Sequence, residues 1–209
     1  MPALEHNPEG NHALPTDEYI RQNFEPSDRL AVLVLNRENG RRVQRVVTAQ
    51  ALATEVWQRW LRHENAIGGD IYISQNALRE NTRNRKKEDI AAIRHVYLDL
   101  DHDGAKSLAA IESSPHVPKP SYVVTSSPGK YQVIWKVEGM TQDQAESLQR
   151  RMVQEFGADP AATGSSRKCC LSRRSPLAHY NGGTIAQPRM RLCDMYNLVL
   201  TRRVEENDI

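Results

Sequence analysis

Three short stretches carry residue types that could do chemistry. The first is HVYLDLDHDG, residues 95–104. Its apolar start reads as a strand, where side chains alternate faces, so Asp99 and Asp101 point the same way. Two adjacent carboxylates repel each other and lose hydration. A divalent cation between them relieves both, and hard oxygen donors suit Mg²⁺ or Mn²⁺. Asp103 belongs either to that site or to the turn at Gly104. Asp-x-Asp is short and common, so solvated acids at a strand end explain the stretch as well. A calcium loop is excluded, because the Glu it requires six positions after the Gly is replaced by Ala110.

The second stretch is TSSPGKYQVIWK, residues 125–136. A Ser-Ser-Pro-Gly-Lys turn between strands offers hydroxyls, free backbone N–H groups and an ammonium, the parts of a phosphate cradle. It is not a Walker A loop, and Ser-Pro-Gly is also ordinary turn composition. The third stretch is EFGADPAATGSSRK, residues 155–168. Asp159 is either a helix stop followed by a turn, which Asp-Pro suits, or a third carboxylate. Arg167 and Lys168 could meet phosphates.

The elements that must position these residues are legible in part. The 209 residues allow one large domain, able to bury about 70% of its unfolded surface. The hydrophobic fraction is 39%, and 28 Lys+Arg against 26 Asp+Glu leave a net charge of +2, too mild to prove or exclude a nucleic-acid partner. No window approaches a membrane span, and the N-terminal stretch lacks the basic start and apolar run of a signal peptide. Three cysteines make neither a disulfide framework nor a paired zinc site, so a cytoplasmic protein is expected. Residues 1–28 are rich in acids and proline and are expected to be a flexible tail, with one domain over 29–209.

Two apolar runs around Glu38-Asn39-Gly40 predict a β-hairpin. Thr48 is the expected N-cap of a helix striped by Leu52, Val56, Trp57, Trp60 and Leu61. Strands follow over residues 70–75 and 94–101. A hairpin is expected with strands 122–125 and 131–137, whose imperfect alternation suits a sheet covered on both faces. Thr141 and Gln144 fit a capping box for a helix ending at Gly157, with Leu148, Met152, Val153 and Phe156 buried. A last strand is expected over residues 195–201. The whole is an α+β domain with a mainly antiparallel sheet flanked by helices.

The order of these features resembles the archaeo-eukaryotic primase superfamily, most closely the RepB-like primases of plasmids and mobile elements. That family has an acidic pair ending an apolar strand, as in YLDLD here. A Ser-containing turn then leads into Tyr-Gln and a Trp-Lys strand, as in SSPGKYQVIWK. A single acid before a small-residue run and an Arg follows, as in FGADPAATGSSR. The upstream DIYI and the basic RNRKKEDI also look like the family, so the resemblance covers residues 28–167. It implies a primase-polymerase core of RRM-like fold. It implies Asp99, Asp101 and Asp159 as catalytic metal ligands for Mg²⁺ or Mn²⁺. Ser127, Lys130, Tyr131 and Arg167 would bind the incoming nucleotide. Many superfamily members have His where Tyr131 stands. After Arg167 the match fails, since RKCCLSRRSPLAHYNGG replaces the family's usual Arg-Leu-Pro-Gly stretch.

The implied activity is template-directed nucleotidyl transfer by a DNA primase or polymerase. Its partners would be single-stranded DNA and NTP or dNTP substrates, with a replicative helicase as a candidate and no membrane. Arg83, Arg85, Lys86 and Lys87 are candidate template-phosphate contacts, although such charge runs are usually solvated loops. Trp57 and Trp60 fit a core better than a stacking surface. The vicinal Cys169-Cys170 carries no redox assignment. The alternative is a non-catalytic nucleic-acid or nucleotide-binding module on the same core, motivated by the divergent stretch after Arg167. A nicking initiator ranks last, since it needs a His-x-His pair and none exists here.

Overall fold

The computed structural model describes residues 15–165 and three further strands, 168–172, 180–182 and 190–191. The chain begins with helix α1 (Thr16–Asn23), then strands β1 (Arg29–Leu35) and β2 (Arg42–Thr48), helices α2 (Ala49–Leu52) and α3 (Glu55–Ala66), and strands β3 (Asp70–Ser74), β4 (Ala77–Leu78), β5 (Ile90–Ala92) and β6 (His95–Leu100). Helix α4 (Gly104–Ser113), strands β7 (Tyr122–Ser127) and β8 (Lys130–Glu138), helix α5 (Gln142–Phe156) and strands β9 (Lys168–Ser172), β10 (Tyr180–Gly182) and β11 (Met190–Arg191) complete it. No helix among the described residues is long and apolar enough to cross a membrane.

The strands form two sheets. The first runs β5-β4-β1-β3-β9, with β2 on the other edge of β1, and the second runs β10-β7-β8-β11, with β6 paired to β8. All pairings are antiparallel except β11 with β8. The expected α+β class is therefore the observed one.

The second sheet is buried on both faces, which is why its strands do not alternate cleanly. Val96, Leu98 and Leu100 of β6 and Val133, Trp135 and Val137 of β8 pack against Ile111 of α4 and Leu148, Met152 and Phe156 of α5. On the opposite face, Tyr97, Ile134, Tyr122 and Val124 meet Val32, Val34, Ile71 and Ile73 of the first sheet and Tyr19 and Ile20 of α1. Asp99 shares that second face with Tyr97, by alternation along β6.

Several local expectations change. Residues 15–28 are not a tail: α1 buries Tyr19 and Ile20, and Asp28 accepts both ends of the Arg94 fork at 2.8 and 2.9 Å. The missed signal was the short apolar pair in an acidic segment. The helix after Thr48 breaks at Ala53–Thr54 into α2 and α3, and the buried Gln58 amide bridges the break to the Leu52 carbonyl at 2.8 Å. The break turns Val56 out to solvent, 68% exposed, so it is not part of the buried stripe. Thr48 does cap α2, accepting from Ala51 N–H at 3.2 Å. Thr141 and Gln144 form the expected capping box on α5. Helix α4 carries little sequence signal, because GAKSLAAIES is small and weakly amphipathic, and β4 and β5 are too short to show a period. The strand expected over 195–201 lies outside the described residues.

Candidate active site

The site is built at the open ends of β6 and β8. Register pairs Asp99 with Gln132 and Leu100 with Tyr131, so the next residues, Asp101 and Lys130, stand across from each other. Side chains follow that ladder. The Gln132 amide donates to Asp99 Oδ1 at 2.8 Å, and Lys130 Nζ lies 3.3 Å from Asp101 Oδ1. Both contacts lie on one face, so Asp99 and Asp101 do point the same way. Asp99 is half-buried and Asp101 is exposed.

Asp159 arrives by a different route. Gly157 ends α5 in the left-handed region at φ 65°, which favours glycine, and turns the chain back along the free edge of β6. There Asp159 N–H donates to the Asp99 carbonyl at 2.9 Å. Tyr97 Oη donates to the Gly164 carbonyl at 2.5 Å, and the buried Gln149 amide donates to the Tyr97 carbonyl at 3.2 Å. These bonds hold the third acid's backbone against the first acid's. Its carboxylate caps a single 3₁₀ turn, accepting from Ala161 N–H at 2.9 Å.

The hairpin turn is fixed from the other side. Gly129 sits at φ 73°, and a Cβ on Gly104 would lie 2.3 Å from the Gly129 carbonyl oxygen and 3.0 Å from the Tyr131 ring. Gly104 thus lets the start of α4 abut the turn that carries Lys130. Tyr131 packs on the helical face of the sheet, away from Asp99. Gln132, adjacent in sequence, is the residue that touches the acid. Sequence reasoning passed over Gln132, although strand alternation from Tyr131 places it on the acidic face. Ser127 pairs with Lys130 across the hairpin. Arg167 lies outside the described residues.

The hydrogen-bond direction at Asp99 has a consequence deeper in the fold. An ionised carboxylate only accepts, so the Gln132 amide nitrogen faces Asp99 and its Oε1 faces away. That oxygen accepts from the Gln75 amide at 3.3 Å. Gln75 is fully buried, and its own Oε1 has no partner among the described residues. Such an orphan acceptor costs about 1–3 kcal/mol.

The basic stretch divides in two. Lys87 Nζ is 2.5 Å from Glu146 Oε2 on α5, and the Ser165 hydroxyl donates to Glu146 Oε1 at 3.1 Å. Burial opposes the charge of Glu146, but the bonds from Lys87 and Ser165 outweigh it and hold its pKa below the usual range. Lys87 therefore latches the loop to α5. Arg83 and Lys86 are exposed, and Arg85 is half-buried.

The donor chemistry of Asp99, Asp101 and Asp159 fits a hard divalent cation, with two acids on one strand face and a third hung on the same backbone. The side chains are not drawn into one cluster: among the described residues no three acidic, His or Cys groups gather for a metal. Lys130 supplies Asp101 with countercharge that a cation would otherwise provide.

The sequence profile of the RepB DNA-primase N-terminal domain matches residues 37–171. The chain belongs to this family. Its fold is similar to the catalytic domain of primase RepB′, solved in complex with initiator DNA, at 18% identity and TM-score 0.57, over 92% of this chain and 98% of that one. Primase RepB′ itself matches at 18% identity and TM-score 0.58, over 92% of this chain and 65% of that one. The AEP domain of the cyanophage S-2L primase-polymerase matches at 13% identity and TM-score 0.61, over 83% and 90%. No functionally curated protein matches the sequence. The RepB-type profile bears out the resemblance read from the three motif stretches.

Proposed function

We propose that this RepB-type domain is a DNA primase or polymerase that makes or extends primers on single-stranded DNA in plasmid or mobile-element replication. The observation that carries the reading is the ladder Asp99–Gln132 and Asp101–Lys130 at one sheet end, with Asp159 bonded to the Asp99 backbone. Asp99, Asp101 and Asp159 would hold Mg²⁺ or Mn²⁺. When bound, such ions would lower the pKa of a primer 3′-hydroxyl and offset the charge of the triphosphate.

The chain's own residues do the rest. The backbone of β6 and the segment after α5 fix the acids without any need for substrate. Lys130, released from Asp101, can turn to a triphosphate oxygen, where an ammonium offsets developing charge. Ser127 and Arg167 are further nucleotide contacts in this reading. Tyr131, on the helical face, would act by seating the turn against Gly104 rather than by facing Asp99. Exposed Arg83 and Lys86 are the better template contacts, with Arg85 beside them and Lys87 holding the loop. NTP or dNTP would be the substrate, and a replicative helicase is a candidate partner.

The test is primer synthesis on single-stranded DNA with labelled nucleotides and Mn²⁺ or Mg²⁺. Product that disappears in Asp99→Asn and Asp101→Asn, both still folded, supports the reading. A non-catalytic binding module is favoured by one observation, the Lys130 ammonium 3.3 Å from Asp101 Oδ1, where a cation would otherwise lie. It predicts salt-sensitive DNA binding with no incorporation.

A further inference from the structure

We propose that Gln75 is a positioning residue through which the first sheet sets the orientation of the Asp99 carboxylate on the second. The inference rests on the reading of Asp99 as a metal ligand for its consequence, but not for its geometry.

The geometry runs from backbone to carboxylate. Gln75 follows β3 at a corner clamped by β6. The Gln75 carbonyl meets His95 Nδ1 at 2.6 Å. The next residue, Asn76, accepts from Arg94 N–H at 2.8 Å and His95 N–H at 3.0 Å and donates to the Ser165 carbonyl at 2.9 Å. The backbone under Gln75 is therefore immobilised on both sides. Its side-chain amide donates to Gln132 Oε1 at 3.3 Å. Gln132 in turn donates to Asp99 at 2.8 Å.

Polarity travels the other way and admits one arrangement. Asp99, as an anion, accepts, which fixes the face Gln132 presents and hence the face Gln75 must present. The remaining oxygen of Gln75 is buried without a donor among the described residues. Leu or Met here would remove that oxygen but would also strip the buried Gln132 Oε1 of its donor, so what the amide supplies is the bond to Gln132. Partners of this kind orient ligands of metals, and their loss weakens metal affinity by about 10–100-fold.

The test uses Gln75→Met, which conserves volume, and Gln75→Asn, which keeps the amide but shortens its reach. In protein without added metal, the Gln132 side-chain amide is followed by NMR, assigned by its loss in Gln132→Met. Both Gln75 variants should shift that signal and speed its exchange. In a Mn²⁺ titration of the same proteins, affinity should fall about tenfold or more, as it does when a partner that orients a metal ligand is lost. Thermal unfolding should change little in Gln75→Met, because the orphan oxygen is gone while Gln132 Oε1 loses its donor. A Gln132 amide unmoved in both variants, or Mn²⁺ affinity within twofold of the parent, overturns the proposal. A parent protein that binds no Mn²⁺ sinks the metal reading of Asp99, while the amide signal still decides whether Gln75 orients Gln132.

Discussion

His95 opens the strand that carries the acids, and its protonation makes a quantitative prediction. The ring is fully buried, and burial first, then the nearby Lys136 and Arg94 charges, push its pKa down to about 4, against a bond to the Gln75 carbonyl that favours the charged form. The unfolded chain titrates near 6.5. Between those values the unfolded state binds the proton and the folded state does not, so stability is complete above about pH 6.5 and falls as pH drops toward 4. At about 1.4 kcal/mol per pH unit, moving from pH 7.5 to 5 should remove about 2 kcal/mol through this residue alone. With a urea slope of about 2 kcal/mol/M, that moves the midpoint by roughly 1 M. Urea unfolding of the parent and His95→Gln at both pH values isolates the term, because other titrating groups cancel in the double difference. The ring also faces Asn23 Oδ1 at 3.1 Å, a second acceptor. A reversed double difference would mean a charged double donor and a zero one a ring that burial does not shift; either would refute the argument from burial.

Other predictions follow from the same geometry. Gly104→Ala should destabilise the domain by about 1–3 kcal/mol, the range for overpacking, by pressing on the Gly129 carbonyl; thermal melting measures it, and primer extension should fall with it. Arg83→Ala and Lys86→Ala should each lower the slope of log affinity against log salt for single-stranded DNA by roughly one or less. Lys87→Ala should leave that slope nearly unchanged and instead expose the loop over 79–89 to faster amide exchange, since its ammonium is engaged by Glu146. Asp28→Asn leaves the partly buried Arg94 guanidinium without its bidentate partner, so a loss of about 3 kcal/mol in denaturant unfolding is expected, and a loss under 1 would contradict that role.

How much of this was legible in sequence depended on how local each signal was. The capping box at Thr141–Gln144, the Thr48 cap and the acidic strand depend on neighbours a few residues away, and the structure carries all three. Asp99 and Asp101 were placed on one face by period alone, and their partners Gln132 and Lys130 show that face. What sequence could not supply was contact across elements. Residues 16–23 look like a tail until Tyr19 and Ile20 meet the second sheet, and Lys87 looks like its basic neighbours until Glu146 arrives from α5. Tyr131 carries the aromatic signal, yet alternation puts Gln132 beside the acid. The chain from Gln75 to Asp99 joins residues 57 and 33 apart in sequence, and no local pattern marks it.

In the proposed function, the Asp99–Asp101 strand end performs metal-dependent nucleotidyl transfer. Its most direct test is nucleotide incorporation on a single-stranded template by the purified protein with Mn²⁺, beside Asp99→Asn of matched melting temperature. The parent should give labelled product and the variant none. Equal product from both would contradict it.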